Sequence, residues 1–195
     1  GNSYRIIFIH VASAWMSMLI YVVMAVFSAA ALVTNNKMCS IFSAAMAPTG
    51  ALMAFLALFS GSFWGRPTWG THWVWDARLT SELILLFLYL GFLALQSAIS
   101  YHRRADKACA VIAIVGVVNV PIIYFSVKWW NTLHQGASIT SKGSSIAPIM
   151  LYTLLLMVVA FWIYSFASTF VRARSMILER ERRQTWVQAL VKEGK

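Results

Sequence analysis

Charge is scarce in this sequence: charged residues make up 11% of its 195 positions, and only six are acidic. A composition with so little to solvate its surface falls outside the ordinary soluble classes. Cysteine is sparse too. Cys39 and Cys109 show neither CxxC nor CxxCH spacing, which excludes disulfide, zinc and covalent cofactor signals, and both read as small apolar residues. There is no phosphate-loop motif, so nucleotide handling of that kind is excluded. No internal repeat or low-complexity tract is present, and the connections between apolar runs are too short to hold a soluble domain.

Hydrophobic residues are what the sequence has in abundance, at 60% with strongly positive mean hydropathy. Crossing a bilayer as a helix takes about 20 mostly apolar residues. Five segments reach that length: Ile6 to Val33, Ile41 to Phe63, Leu79 to Ser100, Ala108 to Val127 and Ile146 to Phe170. Backbone groups must satisfy one another in lipid, so each is expected to be a helix. The expected fold is all-α, a polytopic membrane helix bundle with five transmembrane helices in one domain spanning residues 1–195. Pro48 and Pro121 fall inside spans. Pro121, two residues after Asn119, is the one expected to bend its helix and tilt the outer end inward.

The net charge of +10 suggests nucleic acid only until its distribution is read. Eleven of the sixteen basic residues, Lys37, Arg103, Arg104, Lys107, Arg172, Arg174, Arg180, Arg182, Arg183, Lys192 and Lys195, fall on one set of connections. Arg5, Arg66, Arg78, Lys128 and Lys142 fall on the other. The positive-inside rule places the 34–40 and 101–107 loops and the C-terminus in the cytoplasm or its equivalent, and the 64–78 and 128–145 loops outside. The partner of the charge is then the membrane and not nucleic acid. Five spans leave the N-terminus outside, and the chain opens Gly1-Asn2-Ser3, so a sixth, upstream helix is expected in the full protein. Residues 171–195 mix arginine and lysine with Met176, Leu178, Trp186 and Leu190, which reads as a basic amphipathic cytoplasmic tail for anionic lipid or a cytoplasmic partner.

The segment 64–78 reads Trp64-Gly-Arg-Pro-Thr-Trp69-Gly-Thr-His72-Trp73-Val-Trp75-Asp76-Ala-Arg78, with four of the nine tryptophans inside fifteen residues. Interfacial enrichment of tryptophan explains isolated cases such as Trp15 or Trp162. It explains poorly a cluster broken by Gly65, Pro67 and Gly70, which suits an irregular aromatic shelf over a flat apolar ligand. His10 lies about 6 Å into the first span, near its outer boundary, and His134 follows the fourth span just after Trp129-Trp130-Asn131. An aromatic plate with neutral imidazoles on the same side of the membrane fits a haem, gripped axially by two histidines. His72 reads as a stacking or hydrogen-bonding residue of the plate and His102 as a solvated loop residue. Asp76 is well placed to cap the third helix, Arg78 to pair with Glu82 one turn on, and Arg78 and Arg5 to hold propionates.

With those residues in hand, four segments resemble the CcmC family of cytochrome c maturation proteins, among the tryptophan-rich "WWD" haem-handling proteins. They are Tyr4-Arg-Ile-Ile-Phe-Ile-His10-Val, Met46-Ala-Pro-Thr-Gly, Trp69-Gly-Thr-His-Trp-Val-Trp-Asp-Ala-Arg-Leu-Thr, and Val118 through Lys-Trp-Trp-Asn-Thr-Leu-His134-Gln-Gly. The resemblance implies that His10 and His134 are axial ligands of haem b (iron protoporphyrin IX). It implies that the segment with Trp64, Trp69, Trp73, Trp75 and Asp76 holds haem at the periplasmic face of a bacterial inner membrane, or the equivalent face of a mitochondrial one. It also implies a task, presenting haem to the chaperone CcmE beside the CcmA and CcmB transporter subunits and CcmD, with ATP handled elsewhere; this is haem-transfer chaperoning and not classical enzymology. Two departures stand out: Ala12 where the family usually has proline, and His72 where an aromatic residue is common. The alternative reading is a haem channel, which would need a lining through the bilayer where Asn119 is the most evident polar residue. A membrane cytochrome b would need histidine pairs within the bilayer and is disfavoured.

Overall fold

Only two residues separate the first two membrane-crossing helices. In the computed structural model, which describes residues 2–130, 132–134, 139–140, 143–144 and 146–193, a short 3₁₀ turn over Asn2–Ile6 leads into α1 (Ile7–Thr34). Asn131, Lys142 and Lys195 lie outside the described residues. Asn35 ends α1 by taking the left-handed conformation (φ 53°), which asparagine tolerates better than most residues. Asn36 then accepts a hydrogen bond from the Met38 N–H at 2.8 Å and so caps α2 (Lys37–Trp69). The chain continues through α3 (Ala77–Ala98), α4 (His102–Gly116), α5 (Asn119–Trp129), a two-residue antiparallel pairing of 139–140 with 143–144, α6 (Pro148–Arg180) and α7 (Thr185–Glu193).

Among the described residues, five helical stretches are long and apolar enough to cross a membrane: Tyr4–Thr34, Lys37–Trp69, Ala77–Ala98, His102–Trp129 and Pro148–Arg180. The all-α polytopic bundle expected from the hydropathy pattern is therefore the fold observed, with two helices running well past their apolar cores. α2 continues six residues beyond Phe63, through Pro67, and α6 continues ten beyond Phe170. The fourth crossing is broken. Pro121 has no N–H to offer the Val117 carbonyl, which the Val120 N–H takes instead at 3.0 Å, and the helix turns at 117–118 between α4 and α5. Asn119 uses that break to donate its side-chain amide to the Ser81 carbonyl, 2.8 Å away, tying α5 to α3. α2 runs through Pro48 uninterrupted.

Lipid tails are as apolar as leucine, so helices in a membrane associate through close packing and interhelical hydrogen bonds, which favours small residues at the contact. α2 supplies such a seam: Ser43, Ala47, Gly50, Ala54, Ala57 and Gly61 recur at alternating spacings of four and three, and all are buried. Bulky groups from neighbouring helices close over it. A side chain at Gly50 would collide with the Tyr89 ring of α3, whose hydroxyl reaches the Ser17 carbonyl of α1 at 2.7 Å. Near the Ser43 end, the Ser28 and Ser43 hydroxyls join α1 to α2 at 2.8 Å. α1 and α2 form the centre, α3 and α4 pack against one flank, and α6 rests on the other, leaving Ile149, Tyr152, Leu156, Ile163 and Phe166 facing outward.

Candidate functional site

The seam on α2 ends at Gly61, where His10 of α1 fits because there is no side chain: a Cβ there would stand 2.9 Å from the imidazole Cε1. His10 Nδ1 lies 2.9 Å from the Ala57 carbonyl oxygen, with Ser60 Oγ at 3.2 Å. A carbonyl can only accept, so Nδ1 carries the proton and Nε2 presents its lone pair. Nε2 has no hydrogen-bond partner among the described residues.

His134 repeats the arrangement from the other side. Its Nδ1 donates to Asp76 Oδ2 at 3.2 Å, again leaving Nε2 without a partner among the described residues. Asp76 is buried and divides its two oxygens between two tasks, because Oδ1 accepts from the Leu79 N–H at 2.8 Å and caps α3. Burial pushes the His134 imidazole below the ordinary histidine range; the Asp76 carboxylate opposes that shift and the Arg78 guanidinium adds to it. A depressed value keeps the ring neutral at pH 7, the form that ligates metals. An imidazole whose second nitrogen is held by a carbonyl or carboxylate is the usual arrangement of a metal-ligating histidine.

Two indoles connect the two imidazoles. The His10 and Trp64 ring centroids are 6.1 Å apart, Trp64 and Trp69 6.4 Å, and Trp69 and His134 4.8 Å with an edge-on geometry. Helix continuation makes this possible. Trp64 and Trp69 belong to the last turns of α2, not to an irregular shelf, and the helix stops only where Gly70 turns left-handed (φ 78°) and returns its N–H to the Arg66 carbonyl at 3.0 Å. The irregular part is confined to residues 70–76. There Trp73 packs edge-on against Trp75 at 5.3 Å, and Trp75 is 74% exposed.

The remaining expected residues sort by their partners. Arg78 is partly buried and forms neither a salt bridge nor a hydrogen bond among the described residues, although Asp76 and Glu82 are within electrostatic reach. The expected Arg78–Glu82 pair is not formed, since Glu82 is buried and accepts from Ser17 Oγ at 2.7 Å. Arg5 is exposed in the 3₁₀ turn, without a salt bridge among the described residues. His72 is engaged elsewhere: its Nδ1 bonds the Ser62 carbonyl at 3.2 Å, Arg66 lies 3.4 Å from its Nε2, and its ring packs edge-on against Phe63.

Sequence reasoning did not single out Gly61, Ala57 or Ser60. The available signal for Gly61 was the heptad of small residues on α2, three positions before Trp64. Among the described residues no group of three or more histidine, cysteine and acidic side chains converges as a metal site. A pair of imidazoles, each with Nε2 unpartnered among the described residues, beside two tilted indoles therefore suits a metal already held in its plane by a flat organic ligand, needing only axial donors, better than a bare ion needing three or four protein ligands.

The comparisons with known proteins agree on one family. The family model described as Heme exporter protein C matches residues 1–188. The chain is 51% identical over 191 residues to the Heme exporter protein C of Escherichia coli K12, covering 98% of this chain and 77% of that protein. The Heme exporter protein C of Haemophilus influenzae is 50% identical over 191 residues, covering 97% and 78%. A putative cytochrome c biosynthesis ccmC-like mitochondrial protein of Marchantia polymorpha is 47% identical over 178 residues, covering 91% and 75%. With a polytopic bundle, a tryptophan-lined rim and a match along almost its full length, the chain belongs to the Heme exporter protein C family.

Proposed function

We propose that this chain is the haem-holding membrane subunit of a cytochrome c maturation system. It captures haem b as cargo at the rim formed by α1, α2 and the loops before α3 and after α5, and presents it for covalent attachment to the chaperone CcmE. The rim faces the periplasm of a bacterial inner membrane or the corresponding side of a mitochondrial one, and CcmA, CcmB and CcmD are the partners. The protein acts as a haem-transfer chaperone without an ATP site of its own.

One observation carries this reading: two imidazoles at one end of the bundle, His10 and His134, each have Nδ1 committed to a fixed acceptor and Nε2 without a partner among the described residues, with Trp64 and Trp69 between them. Haem supplies the iron and the four nitrogens of its plane. The chain supplies two neutral donors oriented by Ala57 and Asp76, indole surface, and guanidinium charge at Arg78 and Arg5 for the propionates. Capture at the rim is favoured over passage through the bundle because Tyr21, Met24, Met53 and Tyr89 are fully buried and fill its middle.

The test is transfer. Co-purification of the full complex with CcmE, followed by denaturing electrophoresis and haem staining, is expected to show CcmE carrying covalent haem with the native chain. His10→Ala and His134→Ala should abolish that band while the chain remains in the membrane. Undiminished haem-linked CcmE with both variants would overturn the proposal.

A further inference from the structure

Among the described residues, three buried side-chain polar atoms have no hydrogen-bond partner: Trp73 Nε1, Thr132 Oγ1 and Ser165 Oγ. Leaving a buried donor unpaired costs about 1–3 kcal/mol, so each calls for an explanation. Ser165 stands alone on α6, roughly 25 Å along the helix from Pro148. The other two sit at the rim. Thr132 is two residues before His134, and Trp73 three before Asp76, the two residues joined by the 3.2 Å hydrogen bond. Chain geometry holds Thr132 within about 7 Å of His134 and Trp73 within about 11 Å of Asp76, Cα to Cα. Arg78, without a salt bridge among the described residues, follows Asp76 by two positions.

We infer that the Trp73 indole N–H and the Thr132 hydroxyl are recognition donors for the carboxylate groups of the cargo, and that with Arg78 they make the rim selective for a porphyrin bearing free acids. An indole N–H can only donate, and a hydroxyl donates or accepts, so both match the acceptor-only oxygens of a carboxylate. The inference rests on the haem reading above and gives the Trp73 N–H and the Thr132 hydroxyl a specific task within it. It explains a cost borne by the empty protein as readiness for an anionic acceptor.

The experiment compares ferric haem with its dimethyl ester, which keeps iron and ring but lacks the acid groups, as ligands of the purified full chain in nanodiscs. Trp73→Phe keeps the aromatic ring without the N–H, and Thr132→Val keeps the shape without the hydroxyl. The native chain should bind the diacid at least about a hundredfold more tightly than the ester, and each variant should erase about tenfold of that preference. Ester affinity and the Soret position should not change. Thr132→Val should also raise the Tm of the haem-free protein by about 2–4 °C, because it removes an unpaired buried hydroxyl. Equal binding of diacid and ester by the native chain, or a preference untouched in both variants, overturns the inference. A native chain that gives no ligated spectrum with either compound overturns the haem reading itself, and the inference with it.

Discussion

The two ends of the bundle treat their polar groups in opposite ways. At the basic end the partly buried guanidiniums are hydrogen-bonded: Arg180 grips Asp106 with two bonds of 2.8 Å, the side chains being 14% and 13% exposed, and Arg172 reaches from α6 to Thr49 and the Ala45 carbonyl of α2. Among the described residues at the tryptophan end, Arg78 has neither a salt bridge nor a hydrogen bond, two imidazoles each have Nε2 unpartnered, and two buried donors are unpaired. The difference separates structure from function. Pairing suits groups whose task is to hold helices together, and incompleteness suits the haem site proposed above.

Substitutions at the two ends should therefore fail in different measurements. Arg180→Met strands the Asp106 carboxylate and is expected to cost about 3 kcal/mol of stability, seen as a lower midpoint of denaturation, with haem affinity unchanged. Asp76→Asn should do the reverse. Asparagine still caps α3, but an amide in place of Oδ2 no longer orients His134, and haem affinity should fall about 30-fold, equivalent to about 2 kcal/mol, in an equilibrium titration. Gly61→Ala sets a methyl 2.9 Å from the His10 ring. It should weaken haem binding about tenfold while leaving the haem-free helical content intact by circular dichroism. If Arg180→Met alters haem affinity as much as Asp76→Asn does, the contrast between the ends does not hold.

The smallest effect is a titration. In the haem-free protein the His134 ring should protonate below the ordinary value of 6.5, because burial and Arg78 outweigh Asp76. A folded-state value below the unfolded one means that the unfolded chain takes up the proton first. The His134 contribution to stability is thus present above pH 6.5 and declines as pH falls from there through the folded value. Imidazole resonances followed by NMR check the position, and Asp76→Asn should move it further down, since the carboxylate is the group holding it up.

Much of this architecture is legible in the residues because membrane crossing depends on composition over a window, which hydropathy reads directly. The ends are less legible. α2 and α6 outrun their apolar cores because hydrogen bonding along a helix continues past the point where side chains turn polar, so Trp64 and Trp69 are helical where an irregular shelf was expected. The Asp76 cap follows from a local rule and was readable. Its second bond was not, since His134 lies 58 positions away, and neither was the choice of Glu82 to accept from Ser17, 65 positions away, over pairing with Arg78. The His10 pocket depends on an absent side chain at Gly61, which no donor-seeking motif would register.

Electron paramagnetic resonance of the ferric haem-loaded chain tests the central claim most directly, because it reports which groups occupy the two axial positions of iron. The account predicts a low-spin signal of bis-imidazole type in the native protein, converted to high spin by His10→Ala and separately by His134→Ala. A low-spin signal that survives both substitutions unchanged would contradict it.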